Sequence, residues 1–146
     1  MRLKKITDIQ VRFADTDKMG HVNNARYFEY LEYARVCMYG RYKELDLIKM
    51  RADQKEAFII AHLDCDYKAP AFVGDTLEVW AHVSRIGRAS FDLHYEIRSR
   101  RRRGEVPDEG KPKLIATANS VQVMFDYKKN RVIPIPPSLR KKLARQ

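Results

Sequence analysis

The sequence predicts an α+β domain in which an antiparallel five-stranded sheet wraps around one long central helix. Three observations carry that prediction. A helical pattern near the N-terminus is followed by four strand patterns in succession. Mostly short turns join those strands, which implies antiparallel pairing. One long helix can cover only part of one sheet face, so the remaining surface calls for a partner, most simply a second copy of the chain.

The first strand is expected over Asp8–Phe13, where Ile9, Val11 and Phe13 alternate with Asp8, Gln10 and Arg12. Asp15 to Asn24 reads as a loop, with Gly20 and the Asn23-Asn24 pair as its turn chemistry. Asn23 or Asn24 can cap the helix that follows. Tyr27, Leu31, Ala34 and Met38 form its apolar stripe, flanked by Phe28 and Arg35, and Gly40 marks its end. Glu29 and Glu32 lie early in it, and Arg35, Arg41 and Lys43 late, an order that suits the helix dipole. Leu45–Ala57 is expected to be a short helical or irregular connection.

The four later strands are read from strict alternation. They cover Ile59–Tyr67, Leu77–Ser84, Phe91–Arg98 and Ile115–Phe125, with turns at Gly74-Asp75 and Gly87. Trp80 and Met124 are expected on the face turned away from the helix, as part of a partner surface. Arg100 to Lys113 reads as a charged loop at a hairpin tip. Pro134 to Pro137 ends regular structure, and Ser138 can cap a short basic helix.

Length and composition bound the function. The chain has 146 residues, 45% hydrophobic and 33% charged, with a formal net charge of +10. That fits a single domain over 1–146 able to bury its own core. No apolar run is long enough to cross a bilayer, and the N-terminus lacks the apolar stretch of a secretory signal, so a cytoplasmic protein is expected. Cys37 and Cys65 form no CxxC, and the four histidines are scattered. Neither a disulfide framework nor a zinc site is expected. The positive charge could attract nucleic acid, anionic lipid or a small polyanion. The basic runs lack interleaved aromatics, which argues against nucleic acid.

The densest polar cluster runs from Asp15 through Asp17, Gly20, His21 and Asn23 to Asn24, between a strand and a helix N-terminus. Unpaired amides at a helix N-terminus can hold a developing oxyanion. A carboxylate just upstream can attack a carbonyl or activate water. An EF-hand reading of Asp15-x-Asp17 with Gly20 fails, because Met19 and Arg26 would fall at ligand positions. From spacing alone, the two aspartates could equally be capping turns and the helix.

The stretch from Val11 to Tyr27, containing Asp15-Thr16-Asp17-Lys18-Met19-Gly20-His21-Val22-Asn23-Asn24, resembles the signature of the 4-hydroxybenzoyl-CoA thioesterase family of hotdog-fold acyl-CoA thioesterases. Asp66-Tyr67-Lys68-Ala69-Pro70, Gly74-Asp75-Thr76-Leu77, Gly87-Arg88-Ala89-Ser90-Phe91, Val123-Met124-Phe125-Asp126 and Ile135-Pro136 continue the resemblance in order. It implies the hotdog fold and hydrolysis of an acyl-CoA to a carboxylic acid and CoA. Asp17 would be the catalytic carboxylate, and the Asn24 amide would polarise the thioester carbonyl. Gly20, His21 and Asn23 would shape the site, and Arg88 and Ser90 would hold coenzyme A. A facing strand would offer His62 and Asp64 as pocket liners. The resemblance also implies active sites between the subunits of a homodimer or homotetramer. No metal or redox cofactor is required, and coenzyme A enters as part of the substrate. A non-catalytic module binding acyl-CoA or an acyl carrier protein is the alternative. Tyr27, Phe28, Tyr30 and Leu31 suggest a bulky apolar lining suited to aromatic or medium-chain acyl groups. The Arg100–Arg103 run reads as a solvated loop, or as a contact for CoA phosphates or an acidic carrier protein.

Overall fold

The computed structural model describes residues 2–41, 55–100 and 112–145. The elements, in order, are β1 (Lys4–Gln10), α1 (Arg26–Tyr39), β2 (Glu56–Tyr67), β3 (Thr76–Ile86), β4 (Ser90–Arg100), β5 (Lys113–Asp126), β6 (Arg131–Val132) and α2 (Pro137–Leu143). The antiparallel strands follow the order β1-β3-β4-β5-β2, and the short β6 pairs with β5. The architecture is that expected from the sequence, extended by one small strand. The connection expected over Leu45–Ala57 lies mostly outside the described residues, although Ala57 itself belongs to β2. The charged loop after Arg100 also lies outside them, including Arg101–Arg103.

The inner sheet face packs against α1. Leu77, Val79, Ala81 and Val83 of β3, and Phe91, Leu93, Tyr95 and Ile97 of β4, are fully or almost fully buried. From α1 they meet Tyr27, Tyr30, Leu31, Ala34, Arg35, Met38 and Tyr39. Ring contacts tie α1 to the edge strand β2 at both ends, Tyr27 to Tyr67 at 5.1 Å and Tyr39 to Phe58 at 6.0 Å. The helix therefore runs antiparallel to β2. Leu31 has no exposed surface. Leu31→Ala is expected to destabilise the protein by about 2–5 kcal/mol, read as a lowered denaturant midpoint at unchanged slope.

Several expectations are corrected. The first strand lies at Lys4–Gln10, not Asp8–Phe13. It ends early because the Arg12 amide donates to Asp15 Oδ2 at 2.9 Å instead of to a strand. Phe13 then falls in a 3-10 turn, 83% exposed. Helix α1 begins at Arg26, with Asn23 capping one step early: its Oδ1 accepts the Ala25 amide at 2.9 Å. Helix α2 begins at Pro137 instead of being capped by Ser138. Arg35, expected on the flank of the stripe, is buried.

Met124 belongs to the core, not to the outer face. On β5 the inward positions are Ala116, Ala118, Ser120, Gln122 and Met124, while Val121, Val123 and Phe125 point outward, half-buried. The apolar outward residues imitate an inner face. The inward Ser120 is there to bond: its Oγ lies 2.8 Å from the Tyr95 hydroxyl and accepts Gln122 Nε2 at 2.5 Å. Trp80 does face outward, beneath the Arg98 guanidinium at 5.0 Å.

Candidate active site

The loop between β1 and α1 is closed at its base by backbone pairing. The Asn23 amide donates to the Asp15 carbonyl at 2.9 Å, and Thr16 bridges to Val22. Further up, the Asp17 amide donates to the His21 carbonyl at 3.2 Å, and the Gly20 amide returns to the Asp17 carbonyl at 3.0 Å. Gly20 has φ of +82°, a left-handed conformation that a side chain would strain. Gly20 is thus a turn-former that sets the path of the loop.

Asp17 stands on one limb of this loop. Its Oδ1 accepts the Met19 amide at 2.8 Å, and its Oδ2 lies 3.4 Å from Asn23 Nδ2. These contacts fix the carboxylate's direction. Asn24 lies just past the other limb, at the entry to α1. Its carbonyl accepts the Tyr67 hydroxyl at 3.0 Å and the Tyr27 amide at 3.4 Å. Its own N–H has no acceptor among the described residues. The His21 ring places Nδ1 3.2 Å from the Val22 carbonyl, so Nδ1 carries the proton in that contact and Nε2 is the other polar end.

Asp17, His21 and Asn24 line one cavity of about 490 Å³, completed by Val22, Tyr27, Tyr67, Lys68, Ala69 and Pro70. Tyr67 and Lys68 were not singled out from the sequence. The signal was present in Asp66-Tyr67-Lys68-Ala69-Pro70, since Pro70 ends a strand that must return towards the helix entry. Burial pushes the Tyr27 hydroxyl up to about 12, so it stays protonated at the cavity wall. Asp17, Asn24, His21 and Lys68 therefore line one pocket, and the Asn24 N–H is without an acceptor among the described residues. That set can bind an acyl carbonyl and deliver a nucleophile to it.

Asp15 has a different role from Asp17. It is 1% exposed and accepts from the Tyr30 hydroxyl at 2.9 Å and from Arg12 Nη2 at 2.9 Å. Burial pushes its carboxyl up, yet the Arg12 guanidinium and amide and the Tyr30 hydroxyl together hold it below the usual 3.8. The native state thus binds fewer protons than the unfolded one in acid. The stability from this carboxylate is complete above about pH 4 and is lost as pH falls through the native value. Urea midpoints below about pH 4 should fall less steeply in Asp15→Asn than in the parent protein.

Six expected site residues do not line this cavity: Gly20 and Asn23 belong to the loop behind it, and His62, Asp64, Arg88 and Ser90 lie elsewhere on the sheet. His62 and Asp64 lie on the outer sheet face, because register shifts between Ile60 and His62. There His62 Nε2 is 3.1 Å from Asp64 Oδ2, and Asp64 Oδ1 accepts the Asn119 amide at 2.9 Å. Arg88 and Ser90 sit at the far end of the sheet. Ser90 pairs with Val123, whereas Tyr67 at the cavity pairs with Ala116. Those β5 positions are about 23 Å apart at roughly 3.3 Å per residue. The Arg88 carbonyl accepts the Ile135 amide at 3.0 Å, and the neighbouring Gly87 carbonyl accepts Arg140 Nη2 at 2.6 Å, so this turn is fastened to the C-terminal segment.

The sequence profile of the thioesterase-like superfamily matches residues 11–143. The chain belongs to that superfamily. It is 28% identical over 137 residues to the long-chain acyl-CoA thioesterase FadM of Escherichia coli, covering 94% of this chain and 95% of FadM. It is 31% identical over 88 residues to the uncharacterized protein YsmA of Bacillus subtilis, covering 60% of this chain and only 56% of YsmA. The structure of Slr0204, a 1,4-dihydroxy-2-naphthoyl-CoA thioesterase from Synechocystis, superposes with a TM-score of 0.78 at 22% identity, covering 98% of this chain and 96% of that one. This likeness shows the shared hotdog fold, and the superfamily is one of thioester hydrolases.

Proposed function

We propose that this protein hydrolyses the thioester of an acyl-coenzyme A, releasing a carboxylic acid and free CoA thiol. The observation that carries the reading is the shared cavity of the Asp17 carboxylate and the open Asn24 amide. The thioester oxygen rests on that amide at the positive end of α1, where negative charge develops during attack. Asp17 either attacks the carbonyl carbon or takes a proton from the attacking water. His21 and Asn23 orient the loop around it. Tyr27 and Tyr67 form an apolar wall for the first part of the acyl group, which suits aromatic or medium-chain substrates. No resident metal or redox group is needed for these steps.

The CoA moiety extends beyond one subunit in this reading. β2 is an edge strand, and no described strand pairs its outer side. Two-fold antiparallel pairing of two such edges joins the sheets of a homodimer. It sets the Tyr67 end of one β2 beside the Glu56 end of the other. Arg88 and Ser90 of the second subunit then lie a few strand spacings from the first subunit's cavity. Arg88 supplies a cation for a CoA phosphate there. A homotetramer would pair two such dimers. The unpaired thiols of Cys37 and Cys65 fit a cytoplasmic setting, and no described helix is long and apolar enough to cross a membrane.

The deciding experiment is thiol release from short, long and aromatic acyl-CoA, with acyl carrier protein thioesters as a parallel arm. Turnover of acyl-CoA supports the proposal. Saturable acyl-CoA binding without turnover across the panel overturns it in favour of a binding module, and turnover confined to the carrier protein arm replaces the substrate class.

A further inference from the structure

We propose that Asp15 is a positioning residue for this site, holding the Asp17 carboxylate in register with the Asn24 amide through a buried knot with Arg12 and Tyr30. This rests on the hydrolase reading above. The two reacting groups lie on opposite limbs of one loop, so their separation is set where the limbs meet. That base is Asp15, whose carbonyl receives the Asn23 amide at 2.9 Å, one residue before Asn24. Its side chain then ties the base to the two elements that frame the loop. Oδ2 receives the Arg12 amide at the end of β1 and the Tyr30 hydroxyl from α1, both at 2.9 Å, while Oδ1 receives Arg12 Nη2 at 2.9 Å.

The helix whose entry presents the polarising amide is thus pinned, through Tyr30, to a side chain of the loop that carries the carboxylate, and the same oxygen holds the chain just after β1 through the Arg12 amide. Without that tie, the loop retains its backbone pairing but can tilt against the helix. A tilt of the order of 1 Å between reacting groups can cost about 100-fold in rate. Asp15 is almost fully enclosed and lies outside the residues that line the cavity. It therefore acts through placement and touches no substrate.

The test uses the full chain. Asp15→Asn should lower kcat by about 10- to 100-fold while KM stays within about two-fold, because ground-state binding by the cavity walls survives. Tyr30→Phe, which deletes one arm of the knot and adds no charge, should show the same split with a smaller loss. Hydrogen exchange at the Asn23 amide should quicken in both variants while the strand amides of β3 and β4 stay protected, a readout independent of activity. If Asp15→Asn is poorly folded, Tyr30→Phe decides. An unchanged kcat in the folded variants overturns the proposal, provided Asp17→Asn is inactive. A fully active Asp17→Asn removes the site itself and takes this proposal with it, so the two failures are told apart.

Discussion

Asp17→Asn should lower acyl-CoA hydrolysis by at least about 100-fold while leaving the thermal midpoint nearly unchanged. The asymmetry follows from where the side chain stands. Asp17 lines an open cavity, and its partners are one loop amide and the Asn23 side chain. Asparagine preserves shape and can still accept the Met19 amide. It cannot attack a carbonyl or hold a proton taken from water. Acyl-CoA binding, followed by equilibrium dialysis with a non-hydrolysable thioether analogue, should survive. Thiol release at the parental rate would remove Asp17 from the chemistry.

At acyl-CoA concentrations below the parental KM, mixing two impaired variants should restore activity. An Asp17→Asn subunit keeps Arg88, and an Arg88→Ala subunit keeps Asp17. If each site draws its carboxylate from one chain and its cation from the other, a heterodimer contains one intact site. Random reassortment of equal amounts gives half heterodimers, hence about one quarter of parental activity. The reason to expect crossing is the span of about 23 Å separating the Ser90 and Tyr67 levels of the same sheet. Separately, Arg88→Ala should raise KM more than it lowers kcat, and the effect should shrink as salt screens the phosphate contact. Recovery no greater than the sum of the two variants would place Arg88 outside the partner's site.

The sequence made some of this legible and hid the rest for physical reasons. β3 and β4 followed from alternation because their inner positions are uniformly apolar and their outer ones, Trp80 apart, polar. β5 offered the same alternation, but its phase was misleading. Valines and a phenylalanine lie outside, and serine and glutamine lie inside, where Tyr95 needs a partner. The end of β1 was misjudged because it is set by a side-chain acceptor, Asp15, and periodicity does not register such bonds. His62 and Asp64 reach the outer face through a bulge, which moves residues between faces without altering composition. The loop motif was the strongest signal. Its residues are near neighbours in the chain, so Asp17, His21 and Asn24 line one cavity. Tyr67 lies 43 residues beyond Asn24 in the chain, with Lys68 next to it, and their nearness depends on the sheet's closure around the helix.

The hydrogen bond between Tyr95 and Ser120 has a consequence for assembly of the sheet. Slipping β5 by two residues against β4 would keep every side chain on its proper side and cost little apolar burial, so greasy contacts alone choose poorly between such alignments. Only one alignment lets the enclosed phenol and the enclosed alcohol satisfy each other, with Gln122 as the third member. The trio acts as a registration pin: its worth lies less in holding the folded state together than in penalising every neighbouring mismatch.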